Sequence, residues 1–277
     1  MTAVTPAFHA IIVGDEILSG KRADKHLAKI IELLGARGLA LSQAEYVGDD
    51  PARITAMLSR AFATPGTVTF SCGGIGATPD DHTRQCAAAA LSRPLVLHPG
   101  AADLIRERMR DVAAEQGLPY EPERPDNVHR LNMGMFPDGA ALIPNPYNKI
   151  AGFSCSQPGG GAVYFVPGFP VMAWPMIEWV LDQHYAEHFN RTPQTEHSVI
   201  VMGAMEASLT PLMESVEREH PGIRVFSLPS VDHPQYGRHI ELGVKGPAQL
   251  VPAAWARLRQ GLHEFGASIG PEMVRAL

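Results

Sequence analysis

Apolar positions near the N-terminus alternate between two rhythms. Phe8-His9-Ala10-Ile11-Ile12-Val13 is a near-continuous apolar run of strand length that stops at Gly14-Asp15-Glu16. From Ala23 the spacing widens to that of a helix, with Leu27, Ile30, Ile31 and Leu34 in register and Gly38 closing the segment. Residues 39–47 form a second strand, and Gly48-Asp49-Asp50-Pro51 starts a helix with Ile54, Met57, Leu58 and Ala61 on one face. Residues 67–70 form a third strand. Strands alternating with helices of this length predict an α/β fold, a mostly parallel sheet with helices on both faces.

The later chain is read in the same way. A helix over residues 100–116 precedes a polar, proline-rich passage at 117–126 and a short helix at 127–136. Two loops follow, around Pro144-Asn145-Pro146 and Val166-Pro167-Gly168, and then a helix carrying Trp174, Ile177, Val180 and Leu181. Polar composition at residues 190–195 marks a linker, so the predicted domains are residues 1–189 and 190–277. In the second, strands at 197–202, 223–228 and 239–244 and helices at 208–219 and 247–265 predict a small α+β domain in the order β-α-β-β-α.

Composition narrows the function classes. A net charge of −6 without a basic cluster argues against general nucleic-acid binding. No apolar run approaches bilayer-spanning length and the N-terminus has no secretory pattern, so a cytoplasmic protein without a membrane partner is expected. The three cysteines and twelve histidines show no metal-ligand spacing.

The chemistry concentrates in Ser71-Cys72-Gly73-Gly74-Ile75-Gly76-Ala77-Thr78-Pro79-Asp80-Asp81-His82-Thr83, read as strand, glycine turn and helix start. Gly73, Gly74 and Gly76 let the backbone approach a ligand closely, and the helix start offers N–H groups to a phosphate. Neither the Walker spacing nor the dinucleotide glycine pattern is matched. Asp80 and Asp81 beside a phosphate call for a mediating cation, Mg²⁺ or another divalent ion. A second reading stays open: Thr78 as N-cap, Pro79 at the first helical position and Asp81 closing a capping box. Asp15 follows the first strand and belongs on the same sheet edge, unless it is only a turn residue. Thr78 and Thr83 offer hydroxyls, and Asn148 and Lys149 are candidates for a distal phosphate, with a solvated turn lysine as the alternative.

These motifs resemble the molybdopterin-binding domain of molybdenum-cofactor biosynthesis proteins, and more closely its branch in the competence/damage-inducible protein A (CinA) family. The resemblance rests on Gly14-Asp15-Glu16-Ile17-Leu18-Ser19-Gly20, Tyr46-Val47-Gly48-Asp49-Asp50, the glycine turn, Pro144-Asn145-Pro146 with Ala151-Gly152-Phe153, and Val166-Pro167-Gly168-Phe169-Pro170. It implies a three-layer domain that binds a pterin or nucleotide phosphate, with functional aspartates falling on Asp81 and Asp15. It also implies homo-oligomers, dimers or trimers, and a small KH-like domain over residues 190–277. No Gly-x-x-Gly loop is present there, and the region is not notably basic, which speaks against RNA binding. Adenylyl-transferring members carry Arg at the position where this chain, like the CinA branch, has Asp80; CinA-type members are associated with metal-dependent hydrolysis of ADP-ribose-type dinucleotides. Full CinA proteins add a C-terminal amidohydrolase domain, whose activity the resemblance does not carry to this chain. The leading expectation is a metal-dependent nucleotide pyrophosphatase with Asp81 and Asp15 catalytic and Asp80 and Asp81 on the metal. The alternative is a non-catalytic pterin- or nucleotide-binding protein linked to cofactor biosynthesis.

Overall fold

The computed structural model describes residues 6–189 and 192–276. The chain divides into two units, Met1–Phe189 and Asn190–Leu277.

In the first unit, β1 (Ala7–Val13) leads through the one-turn helix α1 (Asp15–Leu18) and α2 (His26–Gly35) to β2 (Leu41–Val47). Helix α3 (Pro51–Ala63) connects β2 to β3 (Thr67–Cys72), which enters the glycine turn and α4 (Thr83–Leu91). A small antiparallel pair, β4 (Leu95–Leu97) and β5 (Met135–Pro137), brackets α5 (Pro99–Glu115) and α6 (Pro125–Arg130). The strands β6 (Ala141–Ile143), β7 (Gly152–Ser156) and β8 (Ala162–Val166) then lead into α7 (Pro170–His184). The main sheet has the order β2-β1-β3-β8-β7-β6, with β2, β1, β3 and β8 parallel and β7 antiparallel to both of its neighbours.

Side-chain alternation along β1 divides the core into two halves. Phe8, Ala10 and Ile12 pack with Ile30 and Leu34 of α2 and Ile177 and Val180 of α7. Ile11 and Val13 pack with Ile54, Leu58 and Phe62 of α3 and Cys86 and Ala87 of α4. The rings of Phe136, Phe153 and Phe165 stack through this second half at centroid spacings of 4.5 and 4.3 Å. The unit is therefore three-layered, as the periodicity predicts. In α2 the inward face is Ile30, Leu33 and Leu34, whereas Ile31, expected inward, is half-exposed.

The second unit is a four-stranded antiparallel sheet, β10-β11-β9-β12, with α8 (Glu206–Glu219) and α9 (Val251–Phe265) contributing to one core with Val199, Val201, Leu242 and Val244. Its strands are β9 (Gln194–Met202), β10 (Arg224–His233), β11 (Gly237–Pro247) and β12 (Ser268–Ala276). Strand β12 corrects the five-element reading. Its sequence, Ser268-Ile269-Gly270-Pro271-Glu272-Met273-Val274, carries Gly and Pro, and its pairing with β9 shifts register between Ile269 and Glu272. Of the expected linker, Asn190 and Arg191 lie outside the described residues, and Gln194 and Thr195 already belong to β9. No helix among the described residues is long and apolar enough to cross a membrane.

Candidate functional site

The chain leaves β1 for β2 by way of α2 on one face, then passes from β2 to β3 by way of α3 on the other. The crevice beyond the carboxyl ends of β1 and β3 is thus a topological switch point, where open α/β sheets bind ligands. Gly14-Asp15-Glu16 and the glycine turn both emerge there.

Packing dictates the turn's sequence. Gly73 has φ +108°, and a Cβ on it would lie 2.4 Å from the Val13 carbonyl oxygen. Its N–H donates to the Val166 carbonyl at 3.0 Å. Gly74 has φ +69°, and a Cβ there would lie 2.2 Å from Thr83 Oγ1. The buried Thr83 hydroxyl donates to the Gly73 carbonyl at 3.1 Å, and the Thr83 N–H donates to Gly74 O at 3.0 Å. Thr83 and the Gly73 amide therefore hold the turn's inner side. Among the described residues, no acceptor meets the N–H groups of Gly74, Ile75, Gly76 and Ala77. Four successive amides without an internal acceptor thus follow two left-handed glycines, the kind of backbone from which anion-binding concavities are built.

Helix α4 begins at Thr83, not at Pro79, which corrects the capping-box reading of Thr78 and Asp81. Asp81 instead closes the turn. Its Oδ2 accepts from the Thr78 N–H at 2.8 Å and from the Thr78 hydroxyl at 2.6 Å, while its own N–H donates to Thr78 O at 3.0 Å. Arg84 braces the same turn from within. Its guanidinium donates to Gly76 O at 2.6 Å and to Asn132 O, and its buried Nε has no partner. Burial lowers the Arg84 pKa, against the opposing pull of the Asp81 charge. Thr78, Asp81, Arg84, His129 and Asn132 contribute to the wall of a cavity of about 550 Å³ beside the turn.

Asp15 lies across the crevice, in a reciprocal pair with Asp49. The Asp15 N–H donates to Asp49 Oδ2 at 2.9 Å and the Asp49 N–H to Asp15 Oδ1 at 3.2 Å. A Cβ on Gly48 would come within 2.1 Å of Asp15 Oδ1, so this exchange needs glycine there. Burial raises the Asp49 pKa, and the negative charges of Asp15, Glu16 and Asp80 raise it further, against the N–H received from Asp15. The charge of Asp80, from the glycine turn, is thus within electrostatic reach of Asp49. Among the described residues, no group of three or more His, Cys, Asp or Glu side chains is placed to hold a metal ion. Asp15 Oδ2, Asp49 Oδ1 and Asp81 Oδ1 are nevertheless left without a hydrogen bond from any described residue.

Asn148 and Lys149 are placed differently. Asn148 Oδ1 accepts from Asn145 Nδ2 at 2.8 Å and from the Ile150 N–H at 3.1 Å, which closes its own loop. Lys149 Nζ sits 2.7 Å from both Glu107 and Asp111 of α5. Neither residue lines the cavities at the crevice. Cys72 is fully buried, and burial pushes its thiol well above the ordinary range, which removes it as a thiolate nucleophile.

A second cavity, about 390 Å³, opens beside the turn on the α2 side, over Ile12, Val13 and Cys72, with Glu16, His26 and Phe169 among its lining residues. Arg84, Asp49 and His26 are site residues that the sequence pattern did not single out. Asp49 stood inside a quoted motif without a role, whereas nothing in the Ala-rich run after Thr83 distinguishes a buried Arg84 from a solvated one.

Comparison with known proteins agrees with this geometry. Residues 9–188 match the family described as "Probable molybdopterin binding domain". An Aeropyrum pernix protein is 30% identical across 96% of this chain and 97% of its own length. A CinA-like protein of Geobacter sulfurreducens is 31% identical over 77% of this chain, which spans about half (49%) of that relative. The crystal structure of CinA, of unknown function, from Thermoplasma acidophilum superposes with a TM-score of 0.53 at 25% identity, covering 64% of this chain and 97% of that one. With a matching family model over residues 9–188 and the glycine turn at the switch point of its sheet, the chain belongs to the molybdopterin-binding domain family.

Proposed function

We propose that the first unit binds a heterocycle phosphate of the molybdopterin or nucleotide kind, with the phosphate on the amides of Gly74–Ala77. The observation that carries this reading is those four N–H groups without an internal acceptor, at the crevice where β1 and β3 end. Thr78 and Asp81 act by shaping the turn, and Arg84 supplies fixed positive charge behind it. A preference for a pterin phosphate would link the protein to molybdenum-cofactor biosynthesis.

Titration calorimetry of the full chain with AMP, 6-hydroxymethylpterin monophosphate and adenosine tests the reading. A hydrogen bond to a charged group is worth about 1.5–3 kcal/mol. At least one phosphate is therefore expected to bind about tenfold or more tightly than adenosine. Equal affinity for AMP and adenosine, with no binding of the pterin phosphate, would overturn it.

A second reading, hydrolysis of a nucleotide diphosphate, is favoured by the Asp15–Asp49 carboxylate pair, which has the Asp80 charge within electrostatic reach. The free oxygens of the Asp15–Asp49 pair would suit Mg²⁺, which takes one or two carboxylates and completes its shell with phosphate and water. Such an ion would polarise the phosphate and lower the pKa of a bound water. The amides of Gly74–Ala77 would hold the diphosphate, with the Asp15–Asp49 pair as the acidic group at the end of β1. Incubation with ADP-ribose, FAD and ATP at millimolar Mg²⁺ separates the readings. Monophosphate release that Asp81→Asn abolishes supports hydrolysis; binding without turnover supports the first reading alone.

A further inference from the structure

Amides that receive a phosphate must point at it, and the direction of a main-chain N–H is set by the peptide unit it belongs to. A trans peptide unit is planar, and its C=O and the N–H of the next residue point in opposite directions. Fixing a carbonyl therefore aims the amide that follows it. No cis peptide bond occurs among the described residues.

The carbonyls of the glycine turn are not held alike. Gly73 O accepts the Thr83 hydroxyl at 3.1 Å, which aims the Gly74 N–H. Gly74 O accepts the Thr83 N–H at 3.0 Å, which aims the Ile75 N–H. Gly76 O accepts from the Arg84 guanidinium at 2.6 Å, which aims the Ala77 N–H. Ile75 O meets no donor among the described residues, so the Gly76 N–H alone is left unheld. Thr83 and Arg84 open α4 and are 0% and 3% exposed. They draw their carbonyls toward the buried start of that helix, and the three held amides turn the other way. Arg84 is itself fixed, because its planar fork also donates to Asn132 O.

This division changes the part expected of Thr83. A fully buried hydroxyl whose proton is spent on Gly73 O touches no ligand in the crevice. Building on the binding reading above, we propose that Thr83 and Arg84 are positioning residues: through the carbonyls behind them, they aim the Gly74, Ile75 and Ala77 amides at the anion. Donors aimed before the ligand arrives spare it the cost of ordering them. The Ile75–Gly76 peptide is the adjustable member, and its second residue is the type that tolerates the widest range of backbone angles.

The test uses the full chain labelled with ¹⁵N in the backbone. In the free protein, order parameters are expected to be high at Gly74, Ile75 and Ala77 and lower at Gly76. Residual dipolar couplings should show the first three N–H vectors unchanged at saturation with AMP or 6-hydroxymethylpterin monophosphate. Two variants separate aiming from general support. Thr83→Val removes the hydroxyl and keeps the backbone N–H. It should weaken phosphate binding about tenfold and leave adenosine binding within about twofold. The titration shift of Gly74 should diminish while those of Ile75 and Ala77 persist, and Thr83→Ser should restore wild-type behaviour. Equal weakening of phosphate and adenosine in Thr83→Val would overturn the inference and leave the binding reading standing. Wild-type phosphate affinity with an undiminished Gly74 shift would do the same. If Thr83→Val does not fold, the wild-type order parameters decide, and a Gly74, Ile75 or Ala77 amide as loose as Gly76 overturns the inference. If neither probe shifts the four amides of the wild-type chain, both readings fail together.

Discussion

Asp49 shows how one side chain records the character of the site. Its carboxylate holds the Asp15 N–H, yet burial and three nearby acids raise its pKa. A carboxyl whose pKa is higher in the folded than in the unfolded chain favours folding while protonated, and that contribution is lost as pH rises through the folded value. At neutral pH Asp49 is therefore a destabilising charge. Asp49→Asn keeps an oxygen for the Asp15 N–H and removes the charge. Chemical denaturation at pH 7 should show the variant more stable by up to about 1 kcal/mol, the scale of partly exposed charge interactions. The difference should shrink as pH falls through the carboxylate range. A difference that grows on acidification would contradict the reading. Lys149 makes the opposite case. It occupies a left-handed conformation, φ +66°, and spends its charge on Glu107 and Asp111. Lys149→Gly relieves about 1 kcal/mol of backbone strain while losing exposed ion pairs of similar size. Its melting temperature should match wild type within about 2 °C, and its affinity for AMP should change less than twofold.

At the scale of elements, the turn between β3 and α4 is fixed from three sides: by Val13 through Gly73, by Thr83 through Gly74, and by Arg84 through Gly76. Gly73→Ala places a methyl group against backbone, so unfolding measurements should show a loss above about 2 kcal/mol. Arg84→Met strips the Gly76 and Asn132 carbonyls of their donor and should cost about 1–3 kcal/mol. Arg84→Lys should not restore it, because one ammonium on a flexible stem does not reproduce a planar fork reaching two carbonyls. These elements also explain what the sequence disclosed. Strands β1 and β3 and helices α2 and α3 announce themselves by period, and three glycines after an apolar strand announce a tight turn. The start of α4 at Thr83 was not legible, since Thr78-Pro79-Asp80-Asp81 has the composition of a helix N-terminus. Only the tertiary contacts of Thr83 and Arg84 decide against it. Strand β12 was hidden by Gly270 and Pro271, which interrupt its alternation at the register shift.

At the scale of the molecule, the family match covers residues 9–188 and the described site residues all lie within it. The first unit has its own two-sided core and the second a separate one. A fragment ending at Phe189 should unfold cooperatively and retain the full-length affinity for a phosphate ligand, within about threefold by calorimetry. An affinity lost on truncation would move the site elsewhere. The central claim is that the free amides after β3 receive the phosphate, and backbone ¹H–¹⁵N shifts of the full chain during titration with AMP and 6-hydroxymethylpterin monophosphate test it most directly. The account predicts saturable shifts that are largest at Gly74, Ile75, Gly76 and Ala77, with the amides of residues 194–276 unmoved. Binding that leaves those four amides unchanged, or that shifts the second unit instead, would contradict it.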